Sequence, residues 1–369
     1  MNTPRNKSAS RVTREIVRRR LLADEPFVLA DIGVSGGLAI HWREFEPDLC
    51  AFGFDPLVRE CERLNGAERN PKVRYFDRYI GWDGYRELFP DSMERDAVQG
   101  WTNQPFPRTS AARLQHAQAA PVDQYYNSGD PKLVYTSQRV SLDAFFKEHS
   151  SARVDFLKID TDGHDYEVLC GARQVLEEHQ VLGLLVETQF HGVSHPHSNL
   201  FSNIDRLLRE HGFSLFDLEA YRYTRGVLPG HFVYRLPAQT REGQILAGDA
   251  LYLRDAAAPG YEDRWRCVLS ESKLLKLVCL FEKFGLADCA AELLELKREA
   301  LTGKVDVPQL LDLLAAELYP GMGSYGEVNR RFRETPERFY PAAPGRFLRR
   351  VLPRPLYRLL SAARRKFHS

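Results

Sequence analysis

Short apolar runs alternate with helical stretches over residues 27–236, and this alternation limits the chain to few folds. The first run, FVLADIG at 27–33, ends in glycine and is typical of a buried strand that leads into a tight turn. Further strands are predicted at 49–55, 73–81, 153–160 and 181–188. Two last runs, 214–221 and 231–236, are predicted to close the sheet. Such alternation predicts an α/β fold, a mostly parallel sheet with helices on both faces.

Helices are predicted between these strands. Ser141 stands as the N-cap in front of a helix at 141–149, and a helix at 203–212 ends at a glycine. A third helix is predicted at 166–179. Residues 83–137 show little periodicity and are predicted to form a long irregular insertion, a kind of segment that often has a functional role.

From about residue 239 the pattern is helical. Helices are predicted over 270–301, with a break near Gly285, and over 307–321. We divide the chain into a basic N-terminal segment, an α/β domain, a small helical domain and a basic tail, at residues 1–25, 26–238, 239–335 and 336–369. The helical domain either packs on the α/β domain or a second subunit, as in a homodimer, or positions a long substrate.

Charge is distributed unevenly along the chain. The net charge of +1 indicates no nucleic-acid partner. However, residues 1–20 carry seven Lys or Arg against one Glu, and residues 346–369 carry eight and no acid. Apolar residues are interleaved with the bases of the tail, which Pro353 and Pro355 divide into two short amphipathic pieces. We expect the tail either to dock on the acidic body of the protein or to bind an anionic membrane surface.

Cysteine usage and hydropathy predict a cytoplasmic protein, with the tail as its candidate attachment to the inner face of the membrane. Six cysteines are scattered without a C-x-x-C pair, which is typical of reduced core thiols. The basic N-terminus is not followed by the apolar segment of a secretory signal. No run approaches the length of about 18 apolar residues that a membrane-spanning helix needs.

A glycine-rich loop follows the first strand. The segment ADIGVSGG at 30–37 allows tight turning and close approach of the backbone to a ligand. Its spacing differs from G-x-G-x-x-G, which disfavours dinucleotide binding. Asp55 ends the next strand, where a carboxylate can accept hydrogen bonds from both ribose hydroxyls of a nucleoside. The loop alone is equally well explained as a structural turn, but with Asp55 it predicts nucleoside binding.

A second motif, VDFLKIDTDGHDYEVLCGA, spans residues 154–172. Its apolar strand delivers Asp160 to the carboxyl end, where open α/β sheets bind their ligands. The polar loop that follows carries Asp162, His164 and Asp165. Capping of the next helix is the expected role of Asp162 or Asp165, but capping does not account for Asp160.

A third motif, ETQFHGVSHPHSN at 187–199, follows another strand. Glu187 ends that strand, and His191 lies four residues later. His191 is a candidate general base, because the unperturbed pKa of histidine is near neutrality. His195 and His197 flank a proline, and we expect them to be solvated loop residues. With the nearby carboxylates, these histidines are also candidate ligands of a divalent metal.

KIDTDGHDYEVLCGA resembles the K-I-D-x-E-G-x-E-x-x-V-L-x-G-A signature of the FkbM family of methyltransferases. Upstream, VSLDAFF (140–146) is similar to that family's T-L-D-x-F segment, and LLVET (184–188) to its next strand, which ends in Glu. ADIGVSGG and AFGFDP resemble its cofactor-binding half, so the resemblance covers residues 27–236. Two features depart from the pattern: Asp162 stands where Glu is usual, and His164-Asp165 replaces a small residue followed by Glu.

The resemblance implies a class I, Rossmann-like methyltransferase fold and S-adenosylmethionine as the cofactor. Asp31 would hold the methionine end through water, and Asp55 would bind the ribose. The loop beneath the cofactor would consist of Gly33, Ser35, Gly36 and Gly37. The backbone around Ile80 and Gly81 would border the adenine.

The resemblance also implies O-methylation, which we assign to a sugar hydroxyl of a glycan or glycoconjugate, a polysaccharide modification. Asp160 and His191 are the candidate catalytic residues. The candidate substrate-binding residues are Asp162, His164 and Glu187.

A hydroxyl must lose its proton to attack a methyl group, and two routes fit the sequence. In the first, His191 or Asp160 takes the proton directly. In the second, Asp160 and Glu187 hold a divalent metal such as Mg²⁺ that lowers the pKa of the hydroxyl, as in catechol-type methyltransferases. We favour the first route, because two carboxylates alone make a sparse metal site.

Three other functions were weighed against this one. A small natural product is the alternative acceptor, and a non-catalytic carbohydrate-binding protein with a decayed methyltransferase fold is the alternative from another class. The glycine loop and Asp55 argue against decay. Nucleic-acid methylation would require an N/D-P-P-Y/F-type motif after the fourth strand, where this chain has TDGH at 161–164.

Overall fold

The computed structural model describes residues 10–91, 134–149, 153–224, 228, 230–233 and 239–339. The chain divides into two compact units, Met1–Lys304 and Val305–Ser369. The predicted basic tail at 346–369 and most of the predicted insertion, residues 92–133, lie outside the described residues. None of the described helices is long and apolar enough to cross a membrane.

The strands found among the described residues belong to the first unit. They are β1 (Phe27–Ile32), β2 (Leu49–Asp55), β3 (Val73–Asp77), β4 (Tyr79–Ile80), β5 (Arg139–Val140), β6 (Phe156–Ile159), β7 (Gly183–Gln189), β8 (Ser214–Tyr223) and β9 (Gln244–Leu253). Seven of them form one sheet in the order β3-β2-β1-β6-β7-β9-β8. Strands β1, β2, β3, β6 and β7 run parallel, and β9 is antiparallel to both of its neighbours. Strands β4 and β5 pair separately.

The helices of the first unit are α1 (Arg11–Arg18), α2 (Val58–Ala67), α3 (Asp83–Leu88), α4 (Leu142–Glu148), α5 (Asp165–Cys170), α6 (Arg173–Glu178), α7 (Phe201–Glu210), α8 (Tyr261–Trp265), α9 (Glu271–Lys283), α10 (Ala287–Leu296) and α11 (Arg298–Leu301). A 3₁₀ helix spans Ile40–Phe45. The sheet order reverses between β1 and β6, and ligands of open α/β sheets bind at such a switch point. The predicted fold class, a mostly parallel Rossmann-like sheet with helices, is confirmed.

The two faces of the sheet carry different residues, because side chains alternate along a strand. On the first face, residues such as Ile32, Leu157 and Val186 pack with helices α4, α5, α6 and α7 in one apolar core. On the second face, Phe27 stacks on Phe45 with ring centroids 4.0 Å apart, and Trp42 packs at 5.0 Å from Phe156. The 3₁₀ helix therefore covers the β1 side of the second face.

Helix α9 is attached to the sheet through a buried charge cluster. Asp155, at the start of β6, is fully buried and lies 2.7 Å from the ammonium of Lys273 and 2.9 Å from that of Lys276. The same carboxylate accepts a hydrogen bond from the backbone N–H of Val28. At the other end of α9, the Lys283 ammonium donates to the His41 carbonyl at 2.6 Å. These contacts hold α9 against both β6 and the 3₁₀ helix.

Helix α1 begins at Arg11, within the segment 1–25 that the sequence analysis described as basic. Its buried residues are Val12, Thr13, Ile16 and Val17. The Glu282 carboxylate of α9 accepts hydrogen bonds from the backbone N–H groups of Val12 and Thr13, each at 2.7 Å. Helix α1 is thus part of the packed first unit, although the sequence of residues 1–25 looked like a separate basic segment.

Most predicted elements are confirmed, and the differences have local causes. Ser141 caps α4 as predicted, because its hydroxyl accepts from the Ala144 N–H at 3.1 Å. The predicted strand at 73–81 ends at Asp77 and continues as β4 after a turn. The predicted helix at 166–179 is two helices, since Gly171 packs so close to Gly81 that a Cβ would lie 2.6 Å from the Gly81 carbonyl oxygen.

The prediction that residues 231–236 form the closing strand is wrong in its described part. There, Phe232 forms only an isolated bridge with Thr240. The central antiparallel strand is β9, which pairs with β7 from Gly183↔Leu253 to Gln189↔Ala247.

The sheet therefore extends past residue 238, and α8 to α11 belong to the first unit. The observed division after Lys304 differs from both predicted limits of the helical domain, 239 and 335. Helix α3 also begins the segment predicted to be irregular, 83–137.

The second unit contains α12 (Val307–Leu318) and α13 (Tyr325–Glu334), followed by a 3₁₀ helix at Pro336–Phe339. Asp306 and Ser324 cap the two helices, because their side chains accept from Gln309 N–H and Glu327 N–H. Helix α12 confirms the prediction for 307–321, whereas α13 had no counterpart in the sequence analysis. The six cysteines are free thiols, as predicted, and four are buried.

Candidate active site

The glycine loop after β1 follows a path that only glycine tolerates at its first position. Gly33 has a φ of +83°, and a Cβ on it would lie 1.8 Å from the carbonyl oxygen of Asp160. The loop therefore passes against the end of β6, at the switch point of the sheet. Gly36 and Gly37 also have positive φ, +84° and +90°. A Cβ on Gly36 would meet no atom within 4 Å, so only the backbone conformation disfavours other residues there.

This difference gives a matched pair of variants. Gly33→Ala should lower the free energy of unfolding by about 2–4 kcal/mol, because backbone strain is added to a backbone clash. Gly36→Ala should lower it by only about 1–2 kcal/mol, because the left-handed backbone conformation is then the only source of strain. Chemical denaturation of the three proteins measures both values. Equal losses in the two variants would contradict the close packing of Gly33 on Asp160.

The predicted ribose residue, Asp55, ends β2 beside the glycine loop. Its carboxylate accepts from the Ser35 hydroxyl at 2.6 Å and from the Leu57 N–H at 2.9 Å, and it is 4% exposed. Both contacts hold the carboxylate at the end of the strand. The structure thus brings together Ser35 and Asp55, which the sequence separates by twenty positions.

Asp31, the penultimate residue of β1, is buried next to a lysine that the sequence analysis missed. The Lys158 ammonium lies 3.4 Å from Asp31 Oδ1, 3.0 Å from Asp160 Oδ2 and 3.1 Å from the Gly33 carbonyl oxygen. Burial raises the pKa of Asp31 to about 6, although Lys158 opposes the shift. Lys158 thus links the glycine loop to both carboxylates. Its signal in the sequence was a lone lysine inside the apolar run FLKI.

The loop after β6 is organised by Asp165. Its buried carboxylate accepts from the Thr161 N–H at 3.0 Å, the Gly163 N–H at 3.3 Å and the Asn199 side chain at 3.1 Å. These donors precede α5 or lie on another loop, so Asp165 shapes the loop instead of capping the helix as expected. His164 is the N-cap residue of α5, and half of its side chain is exposed. Asp162 is exposed and has a φ of +52°.

Carboxylates from three neighbouring strands line up beside Asp160. The sheet register pairs Glu187 of β7 with Asp249 of β9, and Asp249 with Glu219 of β8. Burial raises the pKa of Glu187 far above its usual range, and the neighbouring acids raise it further. Burial also raises the pKa of Asp249 to about 6. Glu187 is therefore suited to donate a hydrogen bond at neutral pH and is a poor proton acceptor.

Three of the described acids are close enough to share a metal ion. Asp160, Asp162 and Glu187 each offer an oxygen, and these three oxygens lie within 4.8 Å of one another. Oxygen ligands suit hard cations such as Mg²⁺. The sequence analysis paired Asp160 with Glu187 and also named the loop histidines, whereas this group contains Asp162 and none of those histidines.

The predicted base, His191, faces β9. Its Nε2 lies 2.9 Å from the Ile245 carbonyl oxygen and 3.2 Å from the Gln244 side chain. With Nε2–H donating to that carbonyl, only Nδ1 is left to accept a proton. His195 and His197 were expected to be solvated, but both are half-buried and pack against Phe89, with ring centroids 5.2 Å and 6.3 Å away. These contacts hold the loop after β7 against Phe89, near the start of the segment 83–137.

Ile80 and Gly81, the predicted border of the adenine, lie at the end of β4. Ile80 is buried, and the Gly81 N–H donates to the Val140 carbonyl at 3.1 Å. A Cβ on Gly81 would lie 2.2 Å from the Arg139 guanidinium and 2.7 Å from Glu167. A side chain at this position would displace the ends of the Arg139–Glu167 ion pair, so glycine leaves room for that pair.

A cavity of about 130 Å³ runs from Asp31 and the glycine loop along the second face of the sheet. Asp31 and Gly37 line its near end, and Asp217 and Glu219 of β8 line its far end. Lys158 and Asp160 lie between them. The predicted cofactor residue Asp31 and the predicted catalytic residue Asp160 therefore open into one space. His191 does not line it.

Residues 70–215 match the family model of the methyltransferase FkbM domain. This stretch of the chain is therefore similar to an FkbM methyltransferase domain. The matched stretch runs from just before β3 to the first residues of β8, and it includes the KIDTDGHD loop. The glycine loop and Asp55 lie ahead of it, so their assignment depends on the geometry described above. No curated protein matches the chain significantly.

Solved methyltransferase structures are similar to this chain only distantly. One is the magnesium protoporphyrin IX methyltransferase from Synechocystis PCC 6803 with bound SAM, with 10% identity, a TM-score of 0.29, and coverage of 66% of this chain and 79% of that chain. Another is a SAM-dependent methyltransferase from Aquifex aeolicus, with 9% identity, a TM-score of 0.28, and coverage of 66% and 92%. These likenesses are too weak to bear on function.

Proposed function

We propose that this FkbM methyltransferase domain transfers the methyl group of S-adenosylmethionine to an oxygen acceptor, a sugar hydroxyl of a glycan or glycoconjugate. The observation that carries the proposal is the joint position of Asp31, Asp55 and the glycine loop at one end of the sheet. Gly33 and Gly37 let the loop backbone turn without a side chain at these positions, and the two carboxylates lie near the ends of the adjacent strands β1 and β2. This arrangement fits a ligand with an amino group at one end and a ribose in the middle.

In the proposed mechanism the cofactor supplies a methyl group on a sulfonium, which is already a good leaving group. The protein must therefore mainly align the acceptor and take its proton. Asp160 is the better candidate for this step, because it lines the cavity, whereas His191 faces β9. The Lys158 ammonium, 3.0 Å from the Asp160 carboxylate, orients it toward the cavity.

A metal-assisted route is the alternative within the same site. The carboxylates of Asp160, Asp162 and Glu187 form a donor set that suits Mg²⁺, which would lower the pKa of a bound hydroxyl. The two routes differ in the residues they need, because only the second depends on Asp162 and Glu187.

The acceptor and the partners are part of this proposal. A small natural product remains the alternative acceptor. We further propose a cytoplasmic enzyme that reaches lipid-linked glycans through its basic tail at 346–369. Pelleting of the full chain with anionic vesicles, and not of a chain ending at Pro344, would support attachment by the tail.

Binding of S-adenosylhomocysteine, the product form of the cofactor, tests the proposed function directly. Asp55→Ala should weaken its binding by about 1.5–3 kcal/mol, the range for a lost hydrogen bond to a charged group. Asp77→Ala is the matched control, because Asp77 ends β3 in register with Asp55 but lies one strand farther from the loop. Isothermal calorimetry should give wild-type affinity for that control. Equal affinity of all three proteins would refute the ribose assignment, and absence of binding to the wild type would refute the proposed cofactor.

A further inference from the structure

The cavity beside Asp31 leads away from the proposed methyl donor across the second face of the sheet. The registers place Asp31 next to Lys158, Lys158 next to Leu185, and Leu251 next to Asp217. The cavity therefore extends from β1 to β8 along one row of the sheet. In-line transfer requires the acceptor to lie directly next to the donor. A cavity that begins at Asp31 is thus the space in which the reacting part of the acceptor fits.

The two walls of this cavity have opposite character. On the sheet side, the carboxylates of Asp160, Asp217, Glu219 and Asp249 line it, with Lys158 as the cation among the lining residues. On the other side, His41, Trp42 and Phe284 form an aromatic wall. Carboxylates accept hydrogen bonds from hydroxyl and amino groups, and the negative faces of aromatic rings attract C–H groups. A saturated ring that carries hydroxyl groups has both kinds of surface.

Of Trp42 and Phe284, Phe284 is the one that a ligand can touch. Trp42 is only 2% exposed, whereas Phe284 is half-buried. Phe284 stacks on Phe156 at 5.5 Å and packs edge-on against Trp42 at 6.2 Å, so its ring is held in place from behind. Gly285, with a φ of +75°, turns the chain away directly afterwards.

The position of Phe284 depends on helix α9. The preceding residue, Lys283, donates to the His41 carbonyl at 2.6 Å and pairs with Glu44 at 2.8 Å. This contact fixes the end of α9 to the 3₁₀ helix that carries Trp42. A helical segment that follows the sheet in sequence thus completes the aromatic wall. Burial lowers the pKa of His41 to about 4, so this wall carries no compensating positive charge at neutral pH.

The charge of the cavity limits what it accepts. Five lining carboxylates, Asp31 among them, face one lysine, which is already shared between Asp31 and Asp160. The lining carboxylates would repel a carboxylate or phosphate on the acceptor ring. Such an anion would also find no free cation among the described lining residues. A neutral ring, or one with an amino group, would not be repelled.

We propose that this cavity binds the acceptor as a neutral or amino-bearing saturated sugar ring, and that Phe284 is the specificity-determining residue against which the ring packs. The inference rests on the proposed function and narrows it, because it excludes uronic acids and sugar phosphates as the methylated ring. It also assigns a role to α9, whose last turn places Phe284.

Saturation-transfer NMR on the full chain loaded with S-adenosylhomocysteine tests the inference. The probes are methyl α-mannopyranoside, methyl glucosaminide, methyl glucuronide and glucose 6-phosphate. The first two should receive saturation from the wild type, and the two anionic sugars should not. Phe284→Ala should weaken binding of the neutral probe roughly five- to tenfold, as expected for a lost ring-packing contact. Phe332→Ala, at an exposed aromatic residue of α13, is the matched control and should change nothing.

A second variant covers the case in which Phe284→Ala does not fold. Glu219 is partly exposed on β8, so Glu219→Lys should be tolerated, and it should admit methyl glucuronide while weakening methyl glucosaminide. The inference is overturned if no neutral or amino sugar binds, if anionic sugars bind equally well to the wild type, or if neither variant changes the preference. Calorimetry with S-adenosylhomocysteine distinguishes failure of this inference from failure of the proposed function. Binding of S-adenosylhomocysteine without binding of any sugar would refute only the inference. Binding of neither would refute both.

Discussion

Asp160→Asn should lower the rate of methyl transfer by about 100-fold or more, the usual size of a lost acid–base group. The carboxylate directly follows β6, lies 3.0 Å from Lys158 and borders the cavity next to Asp31. Asparagine keeps the shape and the exposure of the side chain but cannot take a proton. The measurement is the initial rate of S-adenosylhomocysteine formation with a glycan extract of the source cells.

Two neighbouring acids separate the direct route from the metal route. If Asp160 takes the proton itself, Asp162→Asn should keep most of the rate, and EDTA should have little effect. If the three carboxylates hold a metal, Asp162→Asn and Glu187→Gln should each lose activity, and Mg²⁺ should restore what EDTA removes. Wild-type turnover by Asp160→Asn would remove this residue from both routes. Binding of S-adenosylhomocysteine to each variant shows that its site is intact.

The largest loss of stability is expected from Asp155→Ala. This substitution leaves the ammonium groups of Lys273 and Lys276 buried without their shared carboxylate. Breaking a buried ion pair from one side costs about 3–5 kcal/mol, because the remaining charge stays desolvated. It also removes the acceptor of the Val28 N–H. We therefore expect the free energy of unfolding, measured by denaturant titration, to fall by at least this amount.

Two controls show whether the uncompensated charge is the cause. Glu15→Ala breaks an exposed pair with Arg18 and should cost no more than about 1 kcal/mol. The triple variant Asp155→Leu, Lys273→Met, Lys276→Met removes all three charges, and such apolar replacements of buried ion pairs are often neutral. It should recover most of the stability lost in Asp155→Ala. A triple variant as unstable as the single one would mean that hydrogen bonds, and not buried charge, hold α9 on the sheet.

Local patterns were sufficient to predict most of the fold. Residues 27–33 and 49–55 read as strands because a buried parallel strand needs an unbroken apolar run. Ser141 predicted the start of α4, since a helix N-cap needs only a side-chain oxygen next to the chain that it caps. No strand was predicted at β9, because the small residues of AGDA obscure the alternation of apolar and polar residues there. There the pairing with β7 decides the structure, and that pairing joins residues far apart in sequence.

Part of the candidate site could likewise be predicted from local sequence patterns, and the rest could not. The sequence by itself placed the glycine loop, Asp55 and Asp160 at the ends of strands, because each is a residue type at a fixed offset from a strand, and the family resemblance added Asp31. Only the tertiary structure showed that Lys158 bridges two of them, that Asp249 and Glu219 join Glu187 in one row, and that Phe284 closes the cavity from a later helix. The reason is physical. Strand order, register and helix packing bring these residues together, and they are set by burial of surfaces between distant segments, which no local period in the sequence records.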